Sequence, residues 1–276
     1  METREETMPA KISLRPLGVA HFSAIDVEPA EFVSMAAAAG FSSVGLRLHP
    51  AFPGAPYYEL PAGSDTAREV KARMNGEGIS LYDIEFVVIG PDFDAAALTS
   101  MLEGASALGA RRLNVCGDDP DRGRLVANFG ALCDLAAAFG MGVDLENMGW
   151  RTVASFQDSL SIVQDSERNN GGALVDALHF FRNGGQTKDI SAAPQGMIRS
   201  IQLCDARGPA PRTADQMVSE ARTGRCTPGL GELPVASLMR VLPTGAAVSV
   251  EVPIHSGQAP EVHLRHLHDA ARALSG

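Results

Sequence analysis

Short apolar runs alternate along this chain with longer alanine- and leucine-rich stretches that close on glycine, a rhythm of strand and helix repeated from end to end. After a polar leading segment to about Ile12, expected to be frayed, SLRPLGVAH reads as a first strand ending near His21. VEPAEFVSMAAAAG predicts a helix, because Pro29 suits a first turn, alanine favours the helical body and Gly40 supplies the stop; SSVGLRL is the next strand. The helices DTAREVKARMNGEG, PDFDAAALTSMLEGASALG, DRGRLVANFGALCDLAAAFG and TVASFQDSLSIVQDS then separate the strands ISLYDIEFVVI, RRLNVC, GVDLE and ALVD. A short, poorly formed helix between Gly185 and Gln195 precedes the strand IRSIQ. Proline and glycine make the stretch from Asp205 to Pro234 irregular, and its length suits a lid or substrate loop better than a plain connection. LPVASLMRVL is a helix, AAVSVEV an eighth strand and APEVHLRHLHDAARALSG a closing helix, with His263, His266 and His268 expected on its surface.

Eight strand-helix units predict an α/β fold, a (β/α)8 TIM barrel, as a single domain over residues 13–276 with a long loop after strand 7. The length of 276 residues is ordinary for such a barrel. A doubly wound open sheet is the competing architecture, but it would not readily bring the ends of strands five to eight around one point.

Composition narrows the partners. Hydrophobic residues at 45% and charged residues at 20% are globular values, and the net charge of −10 argues against a nucleic-acid or anionic-membrane surface. No apolar stretch approaches the ~18 residues of a membrane span. Cys116, Cys133, Cys204 and Cys226 show no CxxC spacing and the opening METREETMPAK lacks the apolar core of a secretory signal, so a reducing cytoplasm is expected.

The chemistry lies at the strand ends. Glu146, Asp176, Gln202 and Glu251 each close a short apolar run in the second half, which predicts one oxygen-rich divalent-metal site at the carboxyl face of the barrel. His179, three residues beyond Asp176, would point into the same mouth as an acid/base or supporting group, or would only cap a loop. Arg182 would hold a substrate oxygen or make a surface salt bridge. His21, Arg47 and Glu85 fall at strand ends of the first half and would form the far wall, although Glu85 would equally suit a hydrogen bond closing the barrel. Trp150 would stack on a ligand face or pack in the core, and Asp205 is expected to be a structural cap. Pro228, Gly229 and Gly231 read as turn-formers, since GLG lacks the context and lysine of a phosphate loop.

The ordered set E-N-M at 146, D-A-L-H-F at 176–180, Q-L-C-D at 202–205, R-x-x-P-G-x-G-E at 225–232 and V-E-V-P at 250–253 resembles the xylose isomerase-like TIM-barrel superfamily, within it the sugar phosphate isomerase/epimerase group. The resemblance implies a divalent cation, Mn or Mg first, on Glu146, Asp176, Gln202 and Glu251, with Glu146 and Glu251 as the acid/base pair and Arg225 directed into the pocket, where with His179 it would orient the substrate. It implies an isomerase or epimerase of a keto-polyol or keto-sugar, acting by proton abstraction next to a carbonyl through a metal-stabilised enediolate. Many relatives carry histidine where this chain has Gln202, whose harder, neutral carbonyl oxygen tilts the site away from Zn. A lyase on the same scaffold, by dehydration or loss of an aglycone from a keto-glycoside, shares the first step. An apurinic endonuclease is disfavoured by the acidic charge and the missing histidines, and a non-catalytic sugar-binding barrel by the intact acidic ligands. The resemblance leaves a homo-oligomer open.

Overall fold

Along V-D-L-E, Y-D-I-E, L-N-V-C and V-S-V-E the side chains alternate in kind, and the fold uses both sets. Ile84, Leu113, Val115, Val143, Leu145, Ile201, Leu203, Val248 and Val250 join the main hydrophobic core beneath the surrounding helices. Their neighbours Asp83, Glu85, Asn114, Asp144, Glu146, Ser200 and Gln202 are buried as well, yet polar. Successive residues of a strand point to opposite faces, so this second set lines the inside of the barrel. The strands are therefore not the uniformly apolar runs that their burial on both faces suggested.

The computed structural model describes residues 15–255 and 257–274, so the leading segment expected to be frayed lies outside the described residues. Eight parallel strands close the barrel: β1 (Gly18–Val19), β2 (Ser43–Arg47), β3 (Ser80–Ile89), β4 (Arg112–Gly117), β5 (Gly142–Glu146), β6 (Gly171–Asp176), β7 (Ile198–Leu203) and, closing onto β1, the strand Ala247–Val250. Two further short strands, β8 (Asp205–Ala206) and β9 (Arg225–Cys226), pair antiparallel outside the barrel, which makes the closing strand β10. The chain is thus a (β/α)8 TIM barrel, and among the described residues no helix is long and apolar enough to cross a membrane.

Local chemistry sets the helix ends. Pro29 opens the helix Pro29–Ala39 and Gly40, at φ 100°, ends it in the left-handed conformation that glycine adopts without strain. Ser155 and Asp158 form a reciprocal capping box at the start of Phe156–Asp165.

Three expectations change. The first strand is only Gly18–Val19, because His21 already begins a 3-10 turn over His21–Ala24. The stretch after β7 is ordered rather than irregular: it holds the β8–β9 ribbon, a helix over Ala214–Ser219 and a wide turn over Glu220–Gly224. His263 is not a surface residue; it is buried, with Nε2 at 2.8 Å from the Val252 carbonyl oxygen.

Candidate functional site

β5, β6, β7 and β10 end side by side, and their registers fix what stands at the mouth: Asp176 pairs with Gln202, and the Glu251 amide donates to the Leu203 carbonyl at 3.0 Å. Glu146, Asp176, Gln202 and Glu251 are all buried there. Asp176 has a second task, since its Oδ1 accepts from the His179 amide at 3.1 Å and caps the helix Ala177–Arg182. That cap turns His179 back over the mouth, where its Nε2 lies 3.9 Å from Glu146 Oε1. Glu146, Asp176 and His179 each offer a ligand atom within 4.8 Å of the others. Gln202 Nε2 lies 3.5 Å from Glu251 Oε1.

A guanidinium sits among these groups. Arg225 reaches in from β9, with Nη1 at 2.5 Å from Asp176 Oδ2 and Nη2 at 3.2 Å from Glu251 Oε2 and 3.4 Å from His179 Nε2. Its Nε donates to the Ala221 carbonyl at 2.9 Å. Arg225, expected to orient the substrate, lines the cavity, but every nitrogen of its fork is engaged by protein because the buried carboxylates draw it in. Burial opposes the charged form of Arg225, but Asp176, Cys204 and Glu251 hold its pKa well above the usual value.

Charge balance decides what the cluster can accept. Burial, then the neighbouring Asp176 and Glu251, pushes the Glu146 carboxyl well above the usual range; burial, outweighing Arg225, pushes Glu251 to about 8. Asp176 is also raised by burial, yet Arg225 and His179 bring it below its ordinary value. Burial holds His179 down to about 4, so the ring is neutral at pH 7 and free to act as a ligand or hydrogen-bond partner. Three buried carboxylates share one guanidinium. The remaining negative charge must be met by protons or by a cation, and a donor set of carboxylate oxygens, an amide oxygen and a neutral imidazole suits a divalent metal.

The mouth opens into a cavity of about 210 Å³. Glu146, His179, Gln202, Arg225 and Glu251 form one wall; Arg47, Glu85 and Asn114 form the opposite wall; Phe22, Phe52, Phe86, Met148 and Trp150 make an apolar rim. Trp150 stands edge-on to His179 with ring centroids 5.1 Å apart. Arg222 lies over the Phe52 ring at 4.1 Å, joining the loops after β2 and β7 above the opening. A larger groove of about 740 Å³ between the helices Pro29–Ala39 and Asp65–Glu77 lies on the outer surface, away from the strand ends.

Two expected substrate contacts lie elsewhere. His21 does not line the cavity: its ring packs against Phe32 and Tyr58, and Nε2 contacts the Val27 carbonyl at 2.8 Å. Arg182 forks Glu220, with Nη2 at 2.7 Å from Oε1, and donates to the carbonyls of Arg207 and Gly208, so it anchors the loop after β7. Asp205 accepts from the amides of Ala206, Gly229 and Leu233 and so organises the base of that loop. Gly229 has φ 83°, and a Cβ at Gly231 would meet Asp205 Oδ1 at 2.3 Å, so both glycines serve the turn. Asn114 was not singled out from the sequence. The alternation R-L-N-V-C carried the signal, since it turns Asn114 inward beside Glu85.

Comparison with known proteins gives the family and the fold. A family model described as the xylose isomerase-like TIM barrel matches residues 33–274. Among solved structures, an IOLI protein with a bound zinc atom shares 16% identity at a TM-score of 0.77, covering 94% of this chain and 98% of that one. A probable 3-DHS dehydratase, AsbF, from Bacillus anthracis shares 14% at a TM-score of 0.72, covering 93% and 98%. D-Psicose 3-epimerase from Clostridium cellulolyticum H10, solved with D-tagatose, shares 17% at 0.68, covering 94% and 96%. A fusion of a xylose isomerase-like TIM barrel with 4-hydroxyphenylpyruvate dioxygenase shares 21% at 0.76, and there the chain spans only 42% of the longer protein. Identities this low show a common fold. No curated protein matches the chain by sequence.

Proposed function

The chain belongs to the xylose isomerase-like TIM-barrel family, and from that premise we propose that it is a divalent-metal-dependent isomerase or epimerase of a keto-polyol or keto-sugar. The observation that carries this reading is the surplus of buried carboxylate over cationic charge at the strand ends, facing a cavity with polar walls. Glu146, Asp176, Gln202 and Glu251 would hold the cation, with His179 close enough to join or replace one of them. Bound there, Mn or Mg would supply a Lewis acid that lowers the cost of charge developing on a carbonyl oxygen.

This chain's own residues do the rest. One of Glu146 and Glu251 takes the proton from the carbon next to the carbonyl, and the electron pair moves to the carbonyl oxygen, leaving the substrate as an enediolate. The other returns a proton, to the opposite face of the same carbon for epimerisation, or to the former carbonyl carbon for isomerisation, where the proton of the neighbouring hydroxyl passes to the former carbonyl oxygen as the new carbonyl forms. Burial pushes both carboxyls upward in the metal-free protein, and a bound cation would favour their ionised forms, the state in which one of them can act as base. Arg225 fixes Asp176 and Glu251, and Trp150 and Met148 shield the reacting carbon from water.

A lyase is the second reading, favoured by the apolar rim of Phe22, Phe52, Met148 and Trp150, which would accept an apolar leaving group β to the enediolate. One experiment separates them. In D2O with added MnCl2, deuterium uptake into a ketose at unchanged carbon skeleton supports isomerisation, whereas release of water or of an aglycone supports elimination. Absence of either across a keto-sugar and keto-inositol panel, in protein that binds no divalent metal by elemental analysis, would remove the proposal. Glu251→Ala should lose the metal that wild type retains when purified without chelator.

A further inference from the structure

Three buried polar atoms on the wall facing the carboxylate cluster have no partner: Nε of Arg47, Oε1 of Glu85 and Oδ1 of Asn114. Their residues line the cavity and are 8%, 2% and 2% exposed. They stand on three neighbouring strands in one row, since Arg47 pairs with Glu85 and Glu85 with Asn114. The other end of each side chain is already fixed. Arg47 Nη2 donates to Glu85 Oε2 at 2.8 Å, and Asn114 Nδ2 donates to Asp83 Oδ2 at 3.1 Å. Gly45 on the neighbouring strand leaves room for two carboxyls, since a Cβ there would meet an Asp83 oxygen and come within 3.1 Å of Glu85 Oε1.

A buried polar atom left unpaired is costly, and three in one row beside a cavity point to a ligand that completes them. One donor and two acceptors remain. A hydroxyl both donates and accepts, so two adjacent hydroxyls can satisfy Glu85 Oε1 and Asn114 Oδ1 while one of them accepts from Arg47 Nε. An ionised phosphate has no such donors, and it would face the free carboxylate oxygen with the Arg47 charge already paired.

We propose that Arg47, Glu85 and Asn114 read two adjacent free hydroxyls at the uncharged inner end of the substrate, so that the compound is a polyol unphosphorylated at that end. This rests on the reading of the site as one for a polyhydroxylated carbonyl compound. It assigns specificity to the first half of the barrel and leaves proton transfer to the second.

The test is calorimetric, on the full chain with MnCl2, using D-fructose, its 4-, 5- and 6-deoxy analogues and its 1- and 6-phosphates as probes. Wild type should lose on the order of tenfold or more in affinity for two neighbouring deoxy analogues, and as much for the phosphate ester nearer that end. In Glu85→Gln or Asn114→Leu the penalty for at least one of those analogues should shrink severalfold, because the group that read the hydroxyl is gone. Urea unfolding checks that the variants fold, and Glu85→Gln, the closer isostere, carries the test if Asn114→Leu does not. Equal deoxy penalties in wild type and both variants overturn the proposal, as does a phosphate ester at the same end bound as tightly as fructose, or no binding of neutral ketose at all. Deuterium uptake measured on the same samples reports the proposed reaction separately: hydroxyl coupling without exchange removes the isomerase and keeps this recognition, and the converse result does the reverse.

Discussion

Replacing Arg225 by methionine should weaken the metal-free protein and strengthen its hold on a divalent cation. The side chain is buried, 3% exposed, and its guanidinium lies 2.5 Å from Asp176 Oδ2 and 3.2 Å from Glu251 Oε2. Methionine fills most of the volume but leaves both carboxylates without their counter-charge. Removing one partner of a buried pair costs about 3–5 kcal/mol, and the loss should stay in that range because Glu251, already pushed up to about 8, can take up a proton. Whole domains are stable by only ~5–15 kcal/mol, so in EDTA the urea midpoint should fall sharply. Manganese should then restore more stability to the variant than it adds to wild type. Within a few ångströms, repulsion between a guanidinium and a divalent cation amounts to several kcal/mol even at an effective dielectric of about 20, so a tenfold gain in affinity, about 1.4 kcal/mol at equal manganese, is a lower bound. The assay is urea unfolding followed by circular dichroism, in EDTA and in millimolar MnCl2, for both proteins. A variant within about 1 kcal/mol of wild type in EDTA, or one that gains no more from manganese than wild type does, would refute the idea that guanidinium and cation compete for the same carboxylates.

Two further outcomes follow from single side chains. Burial lowers the His21 pKa from 6.5 to about 4, so the unfolded chain binds its proton first: this contribution is fully present above pH 6.5 and about 3 kcal/mol of it is lost as pH falls toward 4. His21→Gln should flatten that part of the stability profile measured by urea unfolding between pH 7 and pH 4.5, and an unchanged slope would contradict the assignment. Asp205→Ala removes the acceptor of three backbone amides and should cost roughly 2–4 kcal/mol, with trypsin cutting the loop at Arg207, Arg212 or Arg222 well before the barrel; cleavage at the wild-type rate would show that the carboxylate does not hold the loop.

The barrel was legible because strand and helix patterns recur with glycine stops, as at Gly40, Gly78 and Gly109, each in the left-handed conformation. The row Glu146, Asp176, Gln202, Glu251 was legible because each stands within one residue of its strand's end, and parallel strands in a closed barrel deliver their ends to one face. Contacts across the chain were not. Arg225 meets Asp176 from 49 residues away only because the ribbon of β8 and β9 folds back over the mouth, and no local pattern encodes that reach. Arg182 looked equally suited to substrate or salt bridge until Glu220 was seen beside it. His21 sits at a predicted strand end, but the 3-10 turn that begins there swings its ring against Phe32 and Tyr58.

Reading the strands as apolar runs also hid a division of labour that the alternation contains. Val143 and Leu145 face the helices, and Asp144 and Glu146 between and after them face the axis. The inward set continues below the site, where Asn114 donates to Asp83, and Asp144 receives Arg112 and Ser200. Burial and the nearby Glu85 push Asp83 to about 8, so this interior is polar and uses its hydrogen bonds rather than apolar packing for cohesion. Hydrophobic stabilisation must then come from the layer between strands and helices, at about 25 cal/mol per Å² removed from water. The two faces of one strand therefore answer to different demands: truncating Leu145 or Val115 should cost stability through a cavity, whereas the conservative change of Glu85 or Asn114 on the other face should alter which hydroxyls the cavity accepts.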